Sequence, residues 1–153
     1  MQNIISYNEH EVRRGGSKDD VSQGYNVWVD LSDPTPAELQ NVQESFHIDY
    51  NALEEYSNKS KRAQVRILGS HIFTLMIEIK YGPAQTLTTE GIYMFLGSGW
   101  LVTIHSSEAN LMAVVKRILE ERSRPLIESS VDALYYSILS ITVDKYESNY
   151  LPP

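Results

Sequence analysis

The sequence predicts an α/β fold, a three-layer α/β/α sandwich with a mixed, largely antiparallel sheet, ending in a long C-terminal helix. Residues 72–80 and 88–104 alternate apolar and polar positions, which is typical of strands. Residues 111–119 instead carry one apolar stripe at helical spacing. Helical stretches also precede the strands. We therefore expect one domain over residues 1–153, with helices on both faces of its sheet.

The composition excludes several classes of protein. The 153 residues are 42% hydrophobic and 22% charged, which is globular rather than disordered. The net charge of -7 disfavours nucleic acid and anionic membrane surfaces as partners and favours cations. The absence of cysteine removes disulfides, thiolate zinc sites and cysteine nucleophiles. The longest unbroken apolar run, Ile92–Leu96, is too short to span a bilayer, and the N-terminus lacks the pattern of a signal peptide.

The first elements are predicted from strand composition and helix caps. A short strand is predicted at Ile4–Tyr7, a loop over residues 8–25 and a strand at Asn26–Leu31. Thr35 and Glu38 form a capping box around Pro36, which predicts a helix to about Phe46.

The middle of the chain predicts a second short helix and then a run of strands. Asp49 is the N-cap candidate for a helix through about Ser57, and a basic link separates it from a strand at Ala63–Leu68. In the next strand one face carries Phe73, Leu75, Ile77 and Ile79, and the other carries Thr74, Met76 and Glu78. After a turn at Gly82-Pro83, the last two strands are Thr88–Leu96 and Trp100–His105, joined by a tight hairpin at Gly97–Gly99.

Two helices are predicted to close the chain. Ser106 or Ser107 is expected to cap a helix whose apolar stripe is Leu111, Val114, Val115, Ile118 and Leu119. Pro125 ends the connection after it. Ser129 or Ser130 is expected to cap a helix that reaches Tyr150 and buries Val131, Leu134, Tyr135, Ile138 and Ile141.

The histidines and serines do not assemble a catalytic set. None of His10, His47, His71 and His105 has a partner four residues away on a helix, so no helical zinc pair is predicted. His105 beside Ser106-Ser107 resembles a base and nucleophile, but adjacent residues point apart and no third group is in place to orient the ring. A strand-end histidine beside a helix cap explains it better, and the chain is predicted not to be an enzyme.

Two further motifs have structural explanations. Gly97-Ser98-Gly99 resembles a phosphate loop, but it joins two strands and no helix begins there to hold an anion. The basic residues Lys59, Lys61, Arg62 and Arg66 lack interleaved aromatics and lie in an acidic chain, so nucleic-acid binding is not predicted.

Two acidic pairs are candidate cation ligands. Glu54 and Glu55 project about 100° apart on a helix, so a single helix cannot bring both to one ion and each would need a partner from another segment or subunit. Asp144 and Glu147 share a helix face. For both pairs, the alternative is a solvated helix surface.

Four stretches together resemble the soluble N-terminal domain of the CorA family of divalent-cation transporters, which also contains the ZntB zinc transporters. Their order and spacing across about residues 27–147 carry the resemblance, rather than any single motif. The stretches are Trp28-Val29-Asp30-Leu31 with Pro34-Thr35-x-x-Glu38-Leu39; Phe46-x-Ile48 with Ala52-Leu53-Glu54-Glu55 and Lys61-Arg62-x-x-Val65; Phe95-Leu96-Gly97 with Leu101-Val102-Thr103-Ile104-His105; and Asp132-x-Leu134-Tyr135-Tyr136-x-Ile138-Leu139 with Val143-Asp144-x-Tyr146.

The resemblance implies a cytoplasmic, metal-sensing domain of a homopentameric transporter whose membrane part lies outside this sequence. In the family, acidic residues of this domain bind Mg²⁺ between subunits, and the bound ions hold the pore closed. The family's acidic pair falls on Glu54 and Glu55. Ser140 stands where some members carry an acidic residue, and Ala63 and Gln64 replace a common Pro and Lys. The resemblance also implies that the isolated fragment is monomeric or weakly associated.

The identity of the ion stays open at this point, because Co²⁺ and Ni²⁺ are alternatives to Mg²⁺ as the transported or regulatory ion. A zinc transporter domain of the ZntB type is a second hypothesis. A stand-alone interaction domain without an ion role is a third, from another class of protein.

Overall fold

A seven-stranded sheet forms the centre of the protein, in the strand order β2-β1-β3-β7-β6-β5-β4. The computed structural model describes residues 1–106, 111–121 and 130–150. The strands are β1 (Gln2–Tyr7), β2 (Val12–Arg14), β3 (Asn26–Ser32), β4 (Gln64–Leu68), β5 (His71–Tyr81), β6 (Leu87–Gly97) and β7 (Trp100–His105). The helices are α1 (Pro36–Phe46), α2 (Tyr50–Ser57), α3 (Leu111–Glu120) and α4 (Val131–Tyr150), with 3-10 turns at Lys18–Gln23 and Pro83–Gln85.

The sheet is mixed and largely antiparallel, as predicted. Only β3 and β7 run parallel among the described strand pairs, with Val27 opposite Trp100 and Ser32 opposite His105. The chain therefore leaves the sheet at the same edge after β3 and after β7. From β3 it continues to α1 on one face, and from β7 to α3 on the other.

Two hydrophobic cores, one on each face of the sheet, confirm the three-layer architecture. Val42, Phe46 and Leu53 of α1 and α2 pack on one face, against side chains such as Phe95 and Val102. Four residues from α3 and α4 share the other core with Trp28 and Met94 of the sheet: Val115, Leu119, Leu134 and Ile138. Burying apolar side chains against both faces is what the near-continuous apolar runs of β6 and β7 require.

The helix caps of α1 and α2 are those that the sequence predicts. The Thr35 hydroxyl accepts a hydrogen bond from the Glu38 N–H at 3.2 Å, and the Glu38 carboxylate accepts one from the Thr35 N–H at 2.9 Å. Asp49 caps α2 by accepting from the Ala52 N–H at 2.9 Å. Both helices consequently begin where their sequences indicate.

The tight hairpin between β6 and β7 is also confirmed. Gly97 is opposite Trp100, so Ser98 and Gly99 form the turn. Gly99 has φ +79°, a conformation that residues with a Cβ rarely adopt. A Cβ on Gly97 would lie 2.0 Å from the Trp100 indole, so the hairpin needs glycine at this position for space.

The loop predicted for residues 8–25 is wrong. The segment contains β2 and the 3-10 turn at Lys18–Gln23, and β1 begins two residues earlier than predicted. β2 is only three residues long and carries exposed arginines, so its strand character comes from pairing with β1. Ser17 and Asp20 form a second capping box that orders the 3-10 turn.

The predictions at the start of α3 and α4 have mixed outcomes. The hydroxyl of Ser106 donates a hydrogen bond to Glu90 at 2.9 Å, and residues 107–110, which would show whether it caps α3, lie outside the described residues. Val114, predicted in the apolar stripe, is 37% exposed. Ser130 caps α4, since its hydroxyl accepts from the Asp132 N–H at 3.4 Å. The predictions for Ser107, Pro125 and Ser129 lie outside the described residues.

Candidate functional site

Helix α2 places the predicted acidic pair on its solvent side. Ala52 and Leu53 are buried in the core, so the next two residues are turned outward. Glu54 is exposed, and its carboxylate forms no hydrogen bond or ion pair within the part of the chain that the structure describes. Glu55 is half-buried, and its Oε1 lies 3.3 Å from an Arg66 guanidinium nitrogen. The two carboxylates therefore diverge, and one of them already has a cationic partner.

Arg66 connects α2 to the edge strand β4. Its guanidinium carbon also lies 5.1 Å from the centroid of the Phe73 ring. Lys61, another member of the basic group, donates a hydrogen bond to the Thr89 hydroxyl at 3.1 Å. Both basic side chains therefore already have partners within the protein.

A cavity of about 230 Å³ lies beside α2, at the edge where β3 and β7 end. Asp33 follows β3, Ser106 follows β7, and Tyr56 of α2 forms part of the wall. Burial raises the pKa of Tyr56, and the charge of Asp33 raises it further. Ligands in open α/β sheets often bind where two parallel strands send the chain to opposite faces. In this cavity the hydroxyl of Ser106 already donates a hydrogen bond to another lining residue, the carboxylate of Glu90, at 2.9 Å.

No three His, Asp or Glu side chains within residues 1–106, 111–121 and 130–150 are grouped so that they could hold a metal ion. Asp144 and Glu147 lie on α4. Ser140 is exposed on the same helix.

The histidines occupy four separate environments. His10 is exposed beside Glu9, and His47 ends α1 in the left-handed conformation. His71 is buried and its Nε2 lies 3.3 Å from the Asp49 N–H. Burial lowers the pKa of His71, in spite of the nearby Asp49 charge.

His105 contradicts the expectation that no third group orients its ring. Its Nε2 lies 2.6 Å from Asp30 Oδ1, and its Nδ1 lies 2.7 Å from the Ser106 carbonyl oxygen. The parallel pairing of β3 with β7 places Asp30 and His105 side by side although they are 75 residues apart in sequence. Sequence reasoning did not identify Asp30 as a partner of His105, because nothing local to Asp30 indicates a partner so far along the chain.

Asp30 is the centre of a buried polar network. The Trp28 indole N–H donates to the Thr103 hydroxyl at 2.9 Å, and that hydroxyl donates to Asp30 Oδ1 at 2.7 Å. Lys116 of α3 forms an ion pair with Asp30 Oδ2. Burial acts to raise the pKa of Asp30, but the hydrogen bond and charge of His105 and the charge of Lys116 outweigh it and lower that pKa.

The same network sets the charge of His105. Burial acts to lower the pKa of His105, but its hydrogen bond with the Asp30 carboxylate and the charge of that group outweigh burial and raise the pKa above its usual value. The Ser106 hydroxyl points to Glu90 rather than to His105, so these two residues do not form a nucleophile and base.

The family of this chain follows from its similarity to known proteins. A model of the family described as CorA-like Mg²⁺ transporter protein matches residues 23–150. This chain belongs to the CorA family.

One curated protein is similar to this chain in sequence, and solved structures are similar to it in fold. A Schizosaccharomyces pombe protein assigned as a candidate metal ion transporter is 26% identical over 121 residues, which is 78% of this chain and 15% of that protein. The soluble domain of CorA from Methanocaldococcus jannaschii matches 97% of this chain and 58% of its own, with a TM-score of 0.76 at 17% identity. The ZntB cytoplasmic domain from Vibrio parahaemolyticus matches 96% of this chain and 61% of its own, with a TM-score of 0.69 at 12% identity.

The present chain spans less than two thirds of each of these relatives. The structural matches support the α/β/α fold of a CorA-type soluble domain. Within the described parts of the chain, no helix combines the length and the apolar character of a membrane span.

Proposed function

We propose that this domain is the cytoplasmic, non-catalytic ion sensor of a CorA-type Mg²⁺ transporter, and that Glu54 and Glu55 contribute to its regulatory metal sites. The match of the family model over residues 23–150 is the observation that carries the proposal. In the full-length protein, a homopentamer at the inner face of the cell membrane, bound ions would bridge neighbouring subunits and hold the pore closed.

The chemistry of α2 supports Mg²⁺ as the sensed ion. Mg²⁺ prefers oxygen ligands and usually keeps several waters, so one or two carboxylates are sufficient to bind it. Exposed Glu54 offers such a ligand without losing an existing contact in the described residues. A sensor of millimolar ion needs a binding free energy of only about −4 kcal/mol.

Arg66 affects how strongly Glu55, the second carboxylate, can bind a metal ion. A cation at Glu55 must compete with the guanidinium that lies 3.3 Å away, which weakens metal binding there unless Arg66 moves aside. Two carboxylates about 4 Å apart, one from each subunit, repel by roughly 1–4 kcal/mol, and a divalent ion between them reverses the sign. Loss of the ion would then loosen the subunit contact and open the gate.

The test is protection of the full-length protein from proteolysis by millimolar Mg²⁺. The double variant Glu54→Gln with Glu55→Gln keeps side-chain size and removes both charges, so it should lose the protection while the domain stays folded. The variant Arg66→Gln should be protected at lower Mg²⁺ concentration, because it removes the competing cation. Glu44→Gln, an exposed position on α1, is the matched control and should behave as wild type.

Unchanged protection in the double variant would show that these carboxylates are only a solvated helix face and that the ion is sensed elsewhere. The zinc hypothesis is kept because the ZntB cytoplasmic domain shares this fold. Repeating the experiment with Zn²⁺, Co²⁺ and Ni²⁺ distinguishes the ions. A gene that encodes no apolar segments after residue 153 would favour the stand-alone interaction domain instead.

A further inference from the structure

The buried network around Asp30 contains more positive than negative charge. Both ring nitrogens of His105 face oxygen atoms, namely Asp30 Oδ1 and the Ser106 carbonyl. A carbonyl oxygen can only accept, and the indole N–H of Trp28 directs the Thr103 hydroxyl proton to Asp30. Asp30 is ionised, because Lys116 pairs with its other oxygen and its pKa is lowered, so its Oδ1 only accepts and both His105 nitrogens donate. His105 is an imidazolium.

Lys116 adds a second cation to the same carboxylate. Its ammonium pairs with Asp30 Oδ2 and lies 6.0 Å from the centroid of the Trp28 ring. The side chain of Asp30 is only 1% exposed, whereas that of Lys116 is 23% exposed. An ammonium has three N–H donors, and Asp30 cannot take all of them. Lys116 therefore has N–H donors left for a second partner, and its side chain is partly accessible to solvent.

A cavity of about 250 Å³ opens on Lys116 between β1, β2 and α3. Three side chains that end in N–H donors line it, namely Asn3, Arg14 and Lys116. Glu120 is the only carboxylate among its lining residues in the described parts of the chain, and it pairs with Arg14. Counting His105, Lys116 and Arg14 against Asp30 and Glu120, the cavity and its buried floor have an excess of one positive charge.

From this excess charge and the three converging donors, we infer that the cavity between β2 and α3 binds an oxyanion, the phosphate or carboxylate group of a small soluble molecule. The register supports the convergence, because Arg14 lies opposite Ile5 on the face of the sheet that α3 covers. The anion would bind to Lys116, which also pairs with Asp30, and to Arg14, which also pairs with Glu120. The site is separate from α2, so the inference does not depend on the proposed metal sites.

Inorganic phosphate is the probe that tests the site, titrated against chloride at constant ionic strength and followed by amide NMR. Saturable shifts are expected at Asn3, Gly15 and Lys116. By reciprocal linkage, bound phosphate should also raise the titration midpoint of the His105 ring. Arg14→Gln, a change at an exposed side chain, should weaken binding severalfold, and Lys116→Gln should abolish it. Arg117→Gln, exposed on the same helix but outside the cavity, should leave it unchanged.

The alternative source of the same chemistry is a lipid headgroup. Sedimentation with vesicles of phosphatidic acid in phosphatidylcholine, against phosphatidylcholine alone, distinguishes it. Binding to the acidic vesicles without any response to soluble phosphate would overturn the inference, as would phosphate shifts that persist unchanged in Arg14→Gln. If Lys116→Gln does not fold, Arg14→Gln and the His105 midpoint still decide the question.

Discussion

Asp30 is a carboxylate in the middle of a strand whose neighbours are buried on both sides, a position where charge is normally costly. The cost is offset because Thr103 and His105 donate to one of its oxygens and Lys116 pairs with the other. Removing one partner of such a group leaves a buried charge uncompensated, which is far more destabilising than the pair is stabilising. The three partners come from β7 and α3, so the network joins both to β3.

The raised pKa of His105 predicts how stability depends on pH. A histidine whose pKa is higher in the folded state stabilises the fold below its unfolded pKa, about 6.5, and this contribution is lost as pH rises through the folded pKa. The difference in unfolding free energy between wild type and His105→Gln should therefore shrink from pH 6 to pH 9. Urea unfolding at several pH values measures it.

His71 also makes stability depend on pH, and its lowered pKa acts in the opposite direction. Because His71 is present in both wild type and His105→Gln, its effect cancels in the difference between their unfolding free energies. Asp30 and Lys116 are the charged groups that face His105 from β3 and α3, and the lowered pKa of Asp30 keeps its carboxylate ionised across this range. A difference that stays constant or grows with pH would contradict the imidazolium assignment.

At the scale of elements, the β6–β7 hairpin shows why local sequence can position a strand pair. The two strands are joined by two residues, so their register follows from the turn once Gly99 adopts its positive φ. Helix α2 shows the same for Glu54, a predicted metal ligand. The buried pair Ala52 and Leu53 fixes its rotation, which turns Glu54 toward solvent.

Gly99→Ala should lower the unfolding free energy of the domain by about 1 kcal/mol or more, because a Cβ is strained at φ +79°. The neighbouring turn residue supplies the control, since Ser98 is exposed and Ser98→Ala should change stability little. Chemical denaturation of both variants measures the effect. Equal stability of the two would show that the turn conformation can relax at no cost.

At the scale of the whole molecule, charge opposes self-association. The net charge of -7 gives copies of this domain a mutual repulsion that is strongest at low salt. Divalent cations would reduce it by binding to exposed carboxylates, and Glu54 of α2 is one of these.

We expect a protein of residues 1–153 by itself to be monomeric or weakly associated without divalent ions. Light scattering at low ionic strength, with and without Mg²⁺, measures the mass. A stable pentamer in the absence of divalent ions would contradict this, because it would mean that residues 1–153 contain enough contact surface to assemble without the rest of the protein.

The sequence by itself determined the elements whose signals are local. Period-two alternation located β5, the glycine turn at residues 97–99 separated β6 from β7, and capping residues located the starts of α1, α2 and α4, which places Glu54 and Glu55 on α2. Helical geometry predicts that the side chains of these two neighbours point apart, whereas their role as metal ligands comes from the family resemblance and stays a prediction.

Only the tertiary structure decided the rest. β2 is a strand because it pairs with β1, and no pattern within its three residues indicates that. Asp30 meets His105 only through the parallel alignment of β3 with β7, and Arg14 reaches the cavity beside Lys116 only because β2 and α3 pack on the same part of the sheet. Such contacts depend on chain segments far apart in sequence, and periodicity and caps carry information about a few neighbouring residues alone.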